Sequence, residues 1–385
     1  MKLHLCFFNS GLLYAGMERY LKKHLVDDLK RKMVFLGGPR QVGKTTLARS
    51  LLSAKGNYLN WDDDTGRSRI LDREIPSSGL LVFDELHKFR QWRRYLKGLY
   101  DTKDPSLEIL VTGSARLDLY RYGGDSLQGR YHYWRLHPLS VKELSLSSQQ
   151  DIDTLLKLGG FPEPFFGGSA REARRWSREY RARIVRDDVS SIEQVKDLGS
   201  LELLLGHIPF TVGSPLSINS LREQLQVGFA TTAKWLDILE RMYAFFRVSP
   251  FGAPKLRAVK KEQKAYLYDW SVVDDEALRF ENMIAAHLLK YVHYMQDSEG
   301  LDYELRFYRD TTPREVDFII CDKNKPIIAI ESKLSDTTVA PALRYFHSKF
   351  PTCRCIQLTL RGKKEFITPE GIEVRNALGW LGRLV

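Results

Sequence analysis

Through about residue 150 the chain alternates short apolar runs with stretches of helical spacing, the pattern of a parallel α/β sheet. Met33–Leu36, Tyr58–Trp61, Leu80–Phe83 and Ile109–Thr112 are the expected strands. From about Asp151 to His207 the periodicity is helical, interrupted by GGFPEPFFGG at Gly159–Gly168. Ser217–Leu225 and Thr231–Met242 read as two helices joined through Gly228, with strands near Phe245–Val248 and Ala265–Tyr268 behind them. Residues 271–385 read helix, three strands, helix, strand. The 385 residues exceed what one hydrophobic core holds. The expected division is an α/β domain over 1–150, a helical region over 151–208, a helix–turn–helix region over 209–270 and a terminal α/β domain over 271–385.

Gly38-Pro39-Arg40-Gln41-Val42-Gly43-Lys44-Thr45 satisfies G-x-x-x-x-G-K-[ST] between the strand MVFL and the helical run TTLARSLL. Glycines let such a loop wrap phosphates with its backbone N–H groups and with the start of the following helix, here Thr45 and Thr46. Lys44 is expected on the β- and γ-phosphates of ATP, and Thr45 on Mg²⁺. Leu80-Leu81-Val82-Phe83-Asp84-Glu85 is a buried strand that delivers two carboxylates beside this loop. Asp84 is the expected Mg²⁺-side acid, and Glu85 the group that polarises the attacking water. A water-activating Glu favours hydrolysis over phosphoryl transfer to an acceptor, which stays as the minor alternative. Thr112 or Ser114, at the end of the next strand, would sense the γ-phosphate unless it merely caps a turn.

GGPRQVGKTTL, LLVFDEL, ILVTGSARL, LQGRYHYWRLHPLSVKEL and GGFPEP together resemble the prokaryotic AAA+-type ATPases that carry a nuclease-like C-terminal domain of unknown function. The resemblance spans nearly the whole chain. It implies an AAA+-like parallel sheet, a helical lid, a winged helix and a terminal α/β domain similar to PD-(D/E)XK nucleases. It also implies a homo-oligomer in which Arg130 acts on a neighbouring subunit's nucleotide, an ordinary surface ion pair being the alternative.

Net charge is +11 and the pI near 9.3, which suits a polyanionic partner, DNA more than RNA. Arg171, Arg174, Arg175, Arg178, Arg181, Arg183 and Arg186 sit at spacings that gather several on one helical face. Helix–turn–helix geometry would expose Thr231, Thr232 and Lys234 to a major groove, with Arg257, Lys260, Lys261 and Lys264 on the wing.

Glu304–Tyr308, Val316–Ile320 and Ile327–Glu331 read as successive strands, followed by a helix at Pro341–Lys349. A hairpin symmetric about Asn324 sets Asp317 opposite Glu331, with Cβ atoms roughly 4.5–5.5 Å apart. Lys333 then shares the Glu331 face. Glu281 falls in the apolar stripe of the helix near Glu276–Met295. Glu281, Asp317 and Glu331 are therefore candidate Mg²⁺ ligands, and Lys333 a candidate helper of the attacking water. The alternative is a structural acid pair neutralised by Lys333, in a regulatory scaffold that binds protein partners.

No stretch approaches the ~18–20 apolar residues of a membrane span. The start LHLCFFNSGLLYAG only faintly resembles a signal peptide, since His4, Asn9 and Ser10 interrupt it. Four scattered cysteines, Cys6, Cys321, Cys353 and Cys355, suit reduced thiols in a cytoplasmic protein.

Overall fold

The computed structural model describes residues 17–53, 57–113, 127–189, 197–252, 263–312, 314–335, 338–362 and 364–385. Ser114, Arg257, Lys260, Lys261 and Cys6 lie outside them. The chain divides into two compact units at Pro138/Leu139.

The first unit runs α1 (Lys22–Leu29), β1 (Met33–Gly37), α2 (Lys44–Ser50), β2 (Tyr58–Asn60), α3 (Asp64–Leu71), β3 (Gly79–Asp84), α4 (Trp92–Thr102), β4 (Leu107–Thr112) and β5 (Tyr131–Arg135). All five strands are parallel, in the order β2-β3-β4-β1-β5. Every residue of β1 is buried, as expected for a parallel strand covered on both faces. Phe35, Phe83, Trp92 and Val111 lie in the core on one of those faces. The four expected strands are present. β5 was not anticipated, because His132 and Arg135 break its apolar run. It pairs along β1 from Met33↔Tyr131 to Gly37↔Arg135. Leu36, Thr112, Asp84 and Asn60 fall side by side across β1, β4, β3 and β2. The carboxyl edge where such sheets bind ligands is thereby assembled.

The second unit opens with helices α5 (Gln149–Leu158), α6 (Pro162–Gly167), α7 (Ala170–Arg183) and α8 (Leu198–His207). The GGFPEP turn has a steric reason. Gly159 adopts φ +80°, and a Cβ there would stand 2.9 Å from Oδ1 of the buried Asp269. Next come α9 (Ile218–Leu225) and α10 (Phe229–Arg241), then β6 (Phe245–Pro250), β7 (Lys264–Leu267) and the long α11 (Glu276–Glu299). β8 (Tyr303–Arg309), β9 (Glu315–Asp322), β10 (Lys325–Lys333), α12 (Pro341–Lys349), β11 (Arg354–Thr359), β12 (Phe366–Ile367), β13 (Glu373–Asn376) and α13 (Ala377–Leu381) complete it.

One eight-stranded sheet, β12-β13-β11-β10-β9-β8-β6-β7, unites these strands. β6 pairs antiparallel with β7 and parallel with β8, so the hairpin behind the two short helices is also the edge of the large sheet. Asn282 of α11 covers that edge. Its side chain accepts from Leu267 N (2.9 Å) and donates to Leu267 O (2.7 Å), standing in for a further strand.

The β9–β10 hairpin turns tightly on Lys323 and Asn324, with φ of +47° and +69°. It is therefore centred between those residues rather than on Asn324. A register shift between Pro326 and Ile328 moves the pairing by one, to Ile330↔Phe318. The next step along that register sets Glu331 against Asp317. The expected facing pair arises through a bulge the sequence pattern did not show.

Cys321, Cys353 and Cys355 are buried free thiols. Among the described residues no helix is long and apolar enough to cross a membrane.

α11 also holds a buried histidine. His287 Nδ1 contacts Met283 O at 2.8 Å, and Nε2 accepts from Val141 N at 3.2 Å. An amide only donates, so the ring is neutral with its proton on Nδ1. Burial, reinforced by Lys290, lowers its pKa to about 4. A depressed histidine adds stability that is fully present above the unfolded value near ~6.5 and is lost as pH falls toward 4. Urea unfolding across pH 7.5 to 4.5 should lose up to about 3 kcal/mol from this group. His287→Gln should flatten that part of the curve; an unchanged slope would contradict the assignment.

Candidate functional site

The loop after β1 owes its path to residues other side chains do not replace. Gly38 has φ +131°, and a Cβ there would lie 2.2 Å from Leu136 O. Gly43, at φ +100°, and Gln41, at φ +59°, complete the wrap. Arg19 braces the loop from outside, donating to Val42 O (2.7 Å) and His137 O (2.5 Å). No local pattern marks Arg19 for this task. Pro39 and Val42 are buried, Arg40 is half-buried and Thr46 is exposed.

Lys44 is buried, and its Nζ donates to Gly38 O (2.9 Å) and Pro39 O (2.6 Å). Thr45 Oγ1 donates to Asp84 Oδ2 at 2.9 Å. The structure thus joins the two halves of the site. Both groups are hard oxygen donors of the kind Mg²⁺ accepts, and the pair fits that ion. Tyr58, on β2, donates to the same Oδ2 at 2.5 Å. Thr112 Oγ1 donates to Asp84 Oδ1 and approaches Phe83 O at 3.5 Å. Thr112 is fully buried, and its hydroxyl supports Asp84.

Glu85 follows at φ +56°, a left-handed conformation that costs a non-glycine residue energy and recurs at functional sites. Its backbone N–H donates to Thr112 O at 3.1 Å. Oε2 lies 3.5 Å from Lys88 Nζ and 3.5 Å from His87 Nε2. Burial raises the Glu85 pKa, the Lys88 ammonium opposing it. Lys88 in turn pairs with Asp62 at 2.5 Å.

Arg130 precedes β5, at the opposite end of the sheet from the loop that follows β1. Its Nε meets Asp101 Oδ1 at 2.8 Å and NH2 meets Oδ2 at 3.2 Å. The bidentate ion pair is the alternative weighed for it.

In the C-terminal unit each acid has its own partners. Glu281 Oε1 accepts from Tyr266 OH at 2.6 Å and lies 3.4 Å from Lys264 Nζ. Lys264 also pairs with Glu315. Asp317 Oδ2 accepts from Ser332 N (2.8 Å) and Ser332 Oγ (2.6 Å). Glu331 Oε1 accepts from Lys333 Nζ at 2.6 Å, while its buried Oε2 has no hydrogen-bond partner. Burial first, then the Asp317 charge, raises Glu281 to about 7 and Glu331 to about 8. Among the described residues no group of three or more His, Cys, Asp or Glu side chains is placed to hold a metal. The three-acid Mg²⁺ set expected from sequence therefore does not fit as arranged: Glu281 belongs to Lys264.

Two surface expectations change as well. Lys264, expected on the wing facing phosphates, is 1% exposed because β7 turns it onto α11. Thr232 is fully buried, its hydroxyl donating to Gly228 O at 3.2 Å, whereas Thr231 and Lys234 are exposed. On α7, Arg175 pairs with Glu172 and Arg183 with Glu179; beyond it, Arg186 pairs with Glu202. Arg181 is half-buried near Asp269. Arg171, Arg174 and Arg178 remain as an exposed stripe.

Residues 30–145 match the family described as an AAA domain, and the first unit is an AAA+-type P-loop fold. Residues 149–282 and 279–370 match two further families, each described as a domain of unknown function. An uncharacterized protein of Mycobacterium tuberculosis is 24% identical over 352 residues, covering 80% of this chain and 79% of its own. Uncharacterized proteins of Haemophilus influenzae (24%; 70% and 78% covered) and Methanocaldococcus jannaschii (22%; 80% and 76% covered) are similar too. Among solved structures, the Aeropyrum pernix ORC1 protein in complex with DNA aligns at TM-score 0.36 and 12% identity, over 70% of this chain and 93% of that one. The Bacillus subtilis DNA clamp loader delta protein aligns at TM-score 0.27 and 10% identity, over 57% and 88%.

The two lysines of the carboxylate cluster should separate in urea titrations. Removing one partner of a buried ion pair costs about 3–5 kcal/mol, and an exposed pair under about 1. Lys264→Met should therefore destabilise strongly. Lys333→Met, whose side chain is 43% exposed while its partner Glu331 is buried, should cost less than Lys264→Met. Equal effects would show that Lys264 is not the central counter-charge.

Proposed function

We propose that this chain binds ATP at the Gly38–Thr46 loop and hydrolyses it to ADP and phosphate. The observation that carries this reading is the Thr45–Asp84 hydrogen bond, which sets the loop hydroxyl against the strand carboxylate with Lys44 and Glu85 adjoining. Lys44 would exchange its two carbonyl acceptors for phosphate oxygens. Thr45 and Asp84 would hold Mg²⁺, which would supply charge neutralisation of the phosphates. Glu85 takes the proton of the attacking water as its oxygen bonds to the γ-phosphorus and the bond to the β–γ bridging oxygen breaks. Lys88, 3.5 Å from Glu85 Oε2, opposes the rise that burial imposes on the Glu85 pKa.

For the C-terminal half we infer DNA as the partner, supported by the net positive charge and the Arg171, Arg174 and Arg178 stripe. The buried Lys264–Glu281 pair favours a second reading of its chemistry, a nuclease-like domain that does not cut. No cleavage step is derived from it. Homo-oligomeric assembly belongs to the same proposal, and so does the four-part division of the chain.

Lys44→Ala should lose at least about tenfold in ATP affinity, while Glu85→Gln binds ATP normally and releases no phosphate. Calorimetry and a phosphate-release assay report these outcomes; ATP binding undiminished in Lys44→Ala would sink the reading. Supercoiled plasmid incubated with Mg²⁺ or Mn²⁺ should stay intact with both wild type and Lys333→Ala. Nicking by wild type that disappears in the variant would overturn the inert reading.

A further inference from the structure

Asp84 is 6% exposed, and no lysine or arginine is recorded as its ion-pair partner among the described residues. A buried carboxylate without a counter-charge is costly unless hydrogen-bond donors replace its water. Three hydroxyls do so here. Thr45 and Tyr58 donate to Oδ2, and Thr112 donates to Oδ1. Thr45 and Thr112 belong to the loop and the neighbouring strand, as the sequence motifs anticipate. Tyr58 belongs to neither motif. It comes from β2, where pairing sets Tyr58 beside Val82 and Asn60 beside Asp84. Its hydroxyl reaches two residues along the sheet to the carboxylate. The ring is held too: the Arg49 guanidinium, carried on α2 directly behind the loop, lies 4.1 Å from the ring centroid.

We propose that Tyr58 is a positioning residue for the divalent cation of the ATP site, fixing the Asp84 carboxylate so that Oδ2 faces Thr45. The inference rests on the ATP reading given above. Thr45 is the one donor of the three that the cation engages directly, so its hydrogen bond to Asp84 is the one subject to change on loading. Thr112 binds the opposite oxygen, Oδ1, on the side away from Thr45 and Tyr58. Tyr58 is the contact that stays on the cation-side oxygen throughout. Uncharged donors also leave the negative charge of Asp84 uncancelled, so attraction for a cation is retained. A lysine in the same place would compete with the metal.

Tyr58→Phe removes the hydroxyl and keeps the ring under Arg49. Mn²⁺ binding to the ATP-loaded protein, read by electron paramagnetic resonance, should weaken about tenfold or more in this variant, as expected for one lost hydrogen bond to a charged group. ATP affinity in EDTA should match wild type, since it does not depend on the cation, while the thermal unfolding midpoint falls with the donor lost from buried Asp84. Mn²⁺ affinity equal to wild type, or tighter, overturns the proposal, as does an equal loss of metal-free ATP affinity. If wild type itself takes up no ATP, the functional reading fails before Tyr58 is reached; a wild type that binds Mn²⁺–ATP beside an unaffected Tyr58→Phe refutes Tyr58 alone.

Discussion

One buried negative charge organises the first unit. Asp84 lies at the carboxyl end of β3, walled by β2 and β4, and three hydroxyls donate to its carboxylate. Each hydroxyl arrives on a different element: Thr45 on α2, Tyr58 on β2, Thr112 on β4. The carboxylate therefore ties the loop to the sheet edge. Displacing any of these elements removes a donor from a charge that has no water to replace it. The left-handed backbone of Glu85, one residue on, is affordable in that setting because Thr112 O accepts its N–H.

The C-terminal carboxylates show what the alternative to hydroxyl support looks like. Glu281 has an ammonium beside it, and Lys264 is shared with Glu315. An acid so paired has little charge left with which to attract a second cation. Asp317 resembles Asp84 more closely, since both donors from Ser332 are uncharged. Glu331 stands between the cases, with one oxygen on Lys333 and one orphaned. Counting carboxylates in a motif thus overstates a metal site; the charge of their donors decides which acids remain open to an ion.

The legible parts of the sequence were those where local pattern and chemistry coincide. The G-x-x-x-x-G-K-T run and the apolar strand ending in Asp84-Glu85 identify their residues without tertiary knowledge. The pairing of Asp317 with Glu331 was reached through a symmetric hairpin, and the structure reaches the same register by a tighter turn plus a bulge. Tyr58, Arg19 and Lys264 were not legible as site residues, because each acts across distances along the chain that no spacing rule encodes. Lys264 misled for a physical reason. A lysine next to Lys260 and Lys261 reads as solvated, yet strand alternation turns this one onto Glu281. β5 was missed because aromatic side chains shield its polar positions, which single-sequence periodicity counts against a strand.

The second unit also constrains how any partner of its helix–turn–helix pair would be felt. α10 is bound to β6 through Arg247, which donates to Glu240 from its backbone N–H (2.9 Å) and from Nε (2.8 Å), and to Asp237 at 2.7 Å. β6 continues by backbone pairing into β8, and β8 into β9. β9 and β10 carry Asp317 and Glu331. No flexible linker intervenes along this path; every step is an ion pair or a strand ladder. A load on the exposed face of α10, at Thr231 or Lys234, is therefore borne by the same sheet that fixes the carboxylates. Ion pairs and strand ladders thus join α10 to the strands that carry Asp317 and Glu331 within the second unit.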